Sequence, residues 1–487
     1  MFIMKVAIIY PPIFKDGKFP LLTQNRQYRY SSSTNVRIYP IVSATSATLL
    51  KEHFDVLYLD GINERLSMDE FLNRLYNFDP DLVMMETKTP IIKKHWKFID
   101  KIKQEKNIKV ALVGDHVSAL PEESFIQSSV DYVLTGGDYD VSFLNLCLHI
   151  SEGKKLGKGI WYRENGVKNT GNYELIKDLD SLPFIDRDLT NWQLYGEAYL
   201  YKPCTYIMTG RGCGGGLNGV GICSFCSWQH SLWNCSARLR TPENVAEEIE
   251  TLVNKYKLKE IFDDNESGVI WNKKWLKQFY KEMKERGLIG EVFLSSNARA
   301  DCLDQKTCDL LKKIGFRLLK VGLESGNEKT LKKLCKREGV RKIKKGVQNA
   351  KDHGMKVMLT IMVGYPWETK NDVKKTYEVA RELMLYKTSF GDCLQSSVII
   401  PYPGTPLYEE GVRKDWFVID PKDYEKYDMS MPVLKSYINP FEWCDKMWSI
   451  HKESKFILRS LLTMRSFYDL KLAYTGFKSI DAHTKDF

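Results

Sequence analysis

Thr209-Gly210-Arg211-Gly212-Cys213-Gly214-Gly215-Gly216-Leu217-Asn218-Gly219-Val220-Gly221-Ile222-Cys223-Ser224-Phe225-Cys226 is the stretch on which the reading turns. Three cysteines stand in one glycine-rich loop, nine residues between the first two and two between the last two. Thiolates are soft ligands suited to iron–sulfur clusters and to zinc. A [4Fe–4S] cube held by Cys213, Cys223 and Cys226 leaves one iron open for another ligand. A loop that wraps a cube must approach it closely, offer N–H groups to sulfide and visit positive φ cheaply, which glycine does. The competing reading is a structural zinc site, whose fourth ligand would be His230 or Cys235. Cys204 and Cys235 are the alternatives to Cys213 as first ligand.

Outward from the loop, apolar runs alternate with helical patterns on both sides. Residues 205–405 carry six strand candidates: Thr205–Thr209, Glu260–Phe262, Val292–Ser295, Leu318–Gly322, Lys356–Val363 and Leu394–Ile400. Helix patterns such as Pro242–Tyr256 and Asn371–Leu385 fall between them. Six βα units predict a partial (β/α)6 barrel with its reactive face at the strand C-termini. The cysteine loop follows the first of those strands.

Residues 1–150 carry five shorter units, with strands at Lys5–Tyr10, Val56–Asp60, Asp81–Glu86, Lys109–Gly114 and Tyr132–Thr135. That spacing predicts an α/β, doubly wound parallel sheet, which binds ligands beyond its strand C-termini. Residues 151–204 read as a connector with a hairpin around Glu164-Asn165-Gly166. Residues 406–487 read as a mainly helical cap, with Trp416, Trp443 and Trp448 as core or pocket residues.

The bulk numbers fit this picture. The chain has 487 residues, 43% hydrophobic and 28% charged, with a net charge of +10. The lysines lie along helix faces such as 329–336 and 341–351 rather than in one tract, so the charge reads as a solvated surface and does not demand nucleic acid. No apolar run is long enough to span a bilayer. The N-terminus enters a strand without a signal-peptide pattern, so a cytoplasmic protein is expected. Eleven cysteines at irregular spacing exclude a secreted disulfide framework; eight are expected to be small buried hydrophobes.

Cys223-Ser224-Phe225-Cys226 resembles the end of the radical S-adenosylmethionine (SAM) signature, in which the aromatic residue, here Phe225, touches the adenine. The nine-residue spacing occurs in some families of that group rather than in most. Later strand ends resemble the family in order. Phe262-Asp263-Asp264-Asn265 is similar to the motif that receives the SAM ammonium. Ser295-Ser296-Asn297-Ala298-Arg299 offers Ser296, and Arg299 for the SAM carboxylate. Gly322-Leu323-Glu324 offers Glu324 for hydroxyl or amino groups. Val363-Gly364-Tyr365-Pro366 and Pro401-Tyr402-Pro403-Gly404 are further landmarks.

The first 150 residues resemble the flavodoxin-like cobalamin-binding domain that precedes many such barrels. The matching positions are Pro11, Thr87, Thr89, Gly114, Asp115, His116, Ser118, Leu120 and Gly136. The Asp-x-His-x-x-Gly motif is lacking, so no histidine ligand to cobalt is expected. The usual acidic pair after the fifth strand is replaced by Gly136-Gly137-Asp138. The resemblance implies a cobalamin-dependent radical SAM methyltransferase. It would methylate an unactivated carbon of a peptide, protein or small molecule through a 5′-deoxyadenosyl radical and methylcobalamin. It also implies a reductant such as flavodoxin or ferredoxin, anaerobic chemistry and a monomer. The rivals are an oxidative cyclase or rearrangement enzyme of the same architecture, and a zinc-stabilised nucleic-acid-binding protein.

Overall fold

The computed structural model describes residues 4–22, 28–31, 36–217, 221–266 and 268–474. Residues 218–220 of the cysteine loop and 475–487 of the expected cap lie outside the described residues.

Strands buried on both faces read as continuous apolar runs, and the first sheet is built from such runs. Its strands are β1 (Lys5–Tyr10), β2 (Asp55–Asp60), β3 (Leu82–Glu86), β4 (Lys109–Val113) and β5 (Tyr132–Leu134). They pair in parallel in the order β2-β1-β3-β4-β5, the flavodoxin-like order. The hairpin expected around Glu164-Asn165-Gly166 forms β6 (Ile160–Arg163) and β7 (Val167–Asn169). It extends the sheet antiparallel beyond β5. Helices α1 (Ile41–Leu50), α2 (Met68–Phe78), α3 (Ile92–Glu105), α4 (Pro121–Gln127) and α5 (Tyr139–Glu152) cover the two faces. The start of α2 is fixed by a capping box between Ser67 and Glu70.

The second sheet is parallel and strictly sequential: β8 (Cys204–Ile207), β9 (Glu260–Asp263), β10 (Phe293–Ala298), β11 (Phe316–Glu324), β12 (Lys356–Val363) and β13 (Cys393–Val398). Among the described residues β8 and β13 do not pair, so the barrel is open. The crossovers include α6 (Pro242–Tyr256), α7 (Lys273–Glu285), α8 (Gln305–Ile314), α9 (Val340–Asp352) and α10 (Lys370–Leu385). Thr241 caps α6, and Thr369 with Asp372 boxes the start of α10. The strand ends therefore stop at defined loops, and those loops carry the site.

The C-terminal region contains α11 (Pro406–Arg413), α12 (Pro440–Trp448) and α13 (Ser454–Leu462) joined by irregular chain. Trp443 on α12 is buried in the barrel core, whereas residues 407–434 pack with Ala7, Ile9, Ile92 and Ile99 of the first domain. One hydrophobic cluster thus spans both domains. Two sequence expectations need correction. Lys336 and Lys351 lie in segments read as solvated lysine faces, yet both are buried. Burial is met by partners: Lys351 Nζ lies 3.0 Å from Asp392, and Lys336 Nζ lies 3.4 Å from Glu324. Of the eight cysteines expected to be buried, Cys335 is exposed and Cys235 and Cys393 are half-buried.

Candidate active site

The cysteine loop leaves β8 and is closed by a short antiparallel ribbon, Gly210–Gly212 against Ala237–Leu239. Gly212 has φ +93°, and a Cβ there would collide with the Ser236 carbonyl oxygen. Only glycine therefore closes the ribbon one residue before Cys213. The Cys226 N–H donates to the Cys223 carbonyl (3.1 Å), forming the tight turn that brings these two cysteines together. The loop is anchored at Ser224, whose N–H donates to the Leu334 carbonyl and whose carbonyl accepts from the Leu407 N–H.

Charged side chains from three strand ends converge on this loop. Burial pushes the Cys223 thiol up to about 12; Lys336 and Arg299 oppose that push, while Glu324 and Cys213 add to it. Burial likewise raises the Cys213 thiol, with the Glu266 carboxylate adding to it. Such thiols stay protonated alone and become thiolates when a metal replaces the proton. Among the described residues no three His, Cys, Asp or Glu side chains converge as ligands of a single ion.

Each residue predicted to contact SAM can be placed. Asp263 ends β9 and accepts from Thr209 N (3.0 Å), Thr209 Oγ1 (2.8 Å) and Asn265 N (3.1 Å). Burial raises its carboxyl to about 6 despite these bonds. Asp264 accepts from Asn297 Nδ2 (3.2 Å), and Ser296 Oγ lies 3.4 Å from Asp263 Oδ2. Asn265 accepts from Gly268 N through Oδ1, while its buried Nδ2 has no hydrogen-bond partner among the described residues. The Arg299 guanidinium is engaged by Glu338 (3.0 Å), Asp301 (3.1 Å) and the Lys336 carbonyl (2.7 Å). Burial disfavours its charge, but Glu338 and Asp301 outweigh burial and raise its affinity for the proton. Glu324 stands at a bulge at the end of β11 with φ +58°. Phe225 packs half-buried against a cluster that includes Leu334, Met362 and Tyr365.

Lys336 was missed by the sequence reading. It is a cation facing Glu324 beside Cys223, and the Leu334-Cys335-Lys336-Arg337-Glu338 stretch carries no periodicity that distinguishes it from a surface turn. Tyr365 was recognised only as a landmark. Its buried hydroxyl has no hydrogen-bond partner among the described residues, and Glu324, Glu368 and Cys223 are its titratable neighbours. Unused polar capacity at Asn265 and Tyr365 and paired charges at Lys336 and Glu324 fit a polar, zwitterionic ligand such as the methionyl end of SAM.

The loops at the strand ends of the first sheet face the segment that follows the cysteines. Tyr10 at the end of β1 lies 2.7 Å from Glu86 Oε2 at the end of β3, marking the switch point beside Pro11. Thr87 Oγ1 pairs with His95 Nδ1 (2.9 Å), and Thr89 Oγ1 with His116 Nδ1 (3.1 Å). Ser118 Oγ donates to the Gly114 carbonyl (2.7 Å) and accepts from Gly136 N (3.0 Å). Gly114 has φ +121°, and a Cβ there would strike the Thr87 carbonyl. Buried Lys88 lies 3.8 Å from Asp115, which also accepts from Ser227 Oγ (3.0 Å) next to Cys226. Half-buried Leu120 packs against the cluster shared with residues 407–434. His95 Nε2 and Ser231 Oγ remain buried without hydrogen-bond partners among the described residues. The hydroxyls predicted for a corrin are thus tied to protein groups, and spare polar capacity lies at His95 and Ser231. This seam fits a polar-rimmed ligand.

Asp138 closes the Gly136-Gly137-Asp138 stretch after the fifth strand. It and Asp140 receive the Arg211 guanidinium, at 2.6 Å each, and Arg238 joins Asp138 at 2.5 Å. All but Arg238 are almost fully buried. Trp233 packs on Gly137, with Arg211 and Arg238 near its ring. The substituted acidic pair therefore clamps the first domain to the ribbon of the cysteine loop.

Residues 207–380 match the radical SAM superfamily. The chain is similar to an uncharacterized methyltransferase of Pyrococcus horikoshii, 26% identical over 89% of this chain and 88% of that protein. It is 26% identical to the anaerobic magnesium-protoporphyrin IX monomethyl ester cyclase of Rubrivivax gelatinosus, over 78% of this chain and 66% of that protein. Its fold is that of the radical SAM methyltransferase TsrM of Kitasatospora setae, solved with cobalamin and a [4Fe–4S] cluster. That match has a TM-score of 0.69 and 15% identity over 99% of this chain and 100% of TsrM.

Proposed function

We propose that this protein is a cobalamin-dependent radical SAM methyltransferase acting on an unactivated carbon of a peptide, protein or small natural product. The observation that carries the reading is the convergence of Cys213 and Cys223 with Arg299, Glu324 and Lys336 at the barrel strand ends, directly beside a flavodoxin-like domain. Cys213, Cys223 and Cys226 hold the cluster. Asp264, Asn265 and Glu324 receive the amino and hydroxyl groups of SAM. Arg299 and Lys336 supply positive charge for its carboxylate, and Phe225 faces its adenine. Pro11, Thr87, Thr89, Gly114, Asp115, His116, Ser118, Leu120 and Gly136 line the cobalamin face. His116 holds Thr89 and does not ligate cobalt. When bound, these groups supply an electron, an adenosyl carbon radical and a transferable methyl group. The chain's own contribution is to hold both sites in one seam and to exclude water from it.

The working protein is a cytoplasmic monomer, reduced by a flavodoxin or ferredoxin. Residues 1–150 form the cobalamin domain, 151–204 the connector, 205–405 the barrel and 406–487 the cap. The likeness to the cyclase favours one second reading, oxidative cyclisation in the same architecture. Anaerobic reconstitution with iron, sulfide and hydroxocobalamin, followed by mass spectrometry with candidate substrates, separates the two. Methylated product with S-adenosylhomocysteine supports transfer. 5′-Deoxyadenosine without S-adenosylhomocysteine supports the cyclase reading. A colourless protein that binds zinc and no iron refutes both.

A further inference from the structure

Helix α13 and the turn after it present an apolar face that the fold does not cover. Ile457, Leu458, Leu461 and Leu462 fall at one helical face, and Phe467 and Leu470 continue it. These six side chains are between 45 and 66% exposed, a concentration found nowhere else on the described surface. Exposed apolar patches of this kind mark interaction sites. The opposite side of α13 is anchored: Phe456 is buried in the barrel core, and Arg459 donates to the Leu385 carbonyl (2.7 Å).

The charges around the face select its partner. Lys452, Lys455, Arg465 and Lys471 are exposed around it. The two acids of the same stretch are withdrawn: Glu453 is gripped by Arg381 through two bonds of 2.6 and 2.8 Å, and Asp469 is buried against Tyr201. Leucines and a phenylalanine flanked by lysine and arginine, with no available carboxylate, is the pattern of a helix lying in a lipid interface. A second copy of the chain fits worse, because a two-fold contact on this face would set its basic rim against itself.

We propose that residues 452–471 dock the protein on an anionic lipid bilayer, with the apolar face of α13 in the interface. No helix of the described residues is long and apolar enough to cross a membrane, so the attachment is peripheral. The proposal stands apart from the reaction assigned above.

The test is flotation of the reconstituted full-length protein, kept anaerobic, with vesicles of phosphatidylcholine alone and vesicles that also contain phosphatidylglycerol. The protein is expected to float with the anionic vesicles and to stay unbound with the neutral ones. Leu458→Asp with Leu462→Asp is expected to abolish flotation, and Lys452→Glu with Lys455→Glu to reduce it several-fold. These positions are exposed, and unchanged iron content and SAM cleavage in solution verify that each variant folds. Absence of binding to anionic vesicles overturns the proposal. So does binding that survives the double aspartate variant, or self-association that the same variant abolishes while vesicles are ignored.

Discussion

Replacing Arg211 with methionine should loosen the joint between the two domains while leaving both folded. Arg211 bridges Asp138 and Asp140 at 2.6 Å each, with side chains 4, 3 and 0% exposed. After the substitution Asp138 keeps Arg238, but among the described residues Asp140 retains only the Val141 N–H at 3.0 Å. Breaking a buried pair by removing one partner costs about 3–5 kcal/mol, against roughly 0–1 kcal/mol for an exposed pair. Because one carboxylate keeps its partner, the lower end, about 3 kcal/mol, applies. That corresponds to a change of about a hundredfold in local opening. Hydrogen exchange of the amides at 136–142, 210–214 and 237–239 reads it directly. Protection there should fall by about a hundredfold while β3 and β12 change little. Adding Asp140→Leu should return most of the loss, since an apolar pair replaces an ion pair at small cost. A fall of less than threefold in the single variant would refute the claim that this network joins the domains.

The same network sets an acid limit. Burial works to raise the Asp138 carboxyl, but Arg211 and Arg238 outweigh burial and hold it below its ordinary value. A depressed carboxylate contributes stability above its unfolded value, about 4, and loses it as pH falls through the folded value. The wild-type joint should therefore persist to below about pH 4, and the Arg238→Met variant should open at higher pH in an acid titration followed by tryptophan fluorescence. Lys336→Met should weaken binding of SAM to the reconstituted protein about tenfold to a hundredfold, from the loss of about 1.5–3 kcal/mol in a charged hydrogen bond. Lys336→Arg should restore most of that in calorimetry, and equal binding by all three proteins would remove Lys336 from the site. Gly212→Ala should disrupt the ribbon that closes the cysteine loop, seen as a reconstituted iron content well below wild type, whereas Gly153→Ala, at a helix end with open space around it, should leave iron content intact.

The legible parts of this molecule are those governed by local periodicity. The strand Lys356–Val363 is where the apolar run puts it, and the parallel order of both sheets follows from their βα spacing. The cysteine loop was legible because glycine and thiol chemistry are written in residue types. What escaped was chemistry assembled across the chain. Lys336 reads as one more lysine in a basic stretch until β11 places Glu324 against it. Asp138 reads as part of an altered acidic motif until Arg211, 73 residues later, arrives from the other domain. Asp138 and Arg211 stand 73 residues apart, and although Glu324 and Lys336 are separated by only 12, lysine and aspartate carry no sign of burial in their immediate neighbours. The clamp also gives the changed acidic motif a physical role. Carboxylates at the end of the fifth strand, bound to the residue two before Cys213, fix where the cysteine loop sits relative to the first sheet. In a site divided between two domains that distance decides whether the two halves can work on one substrate.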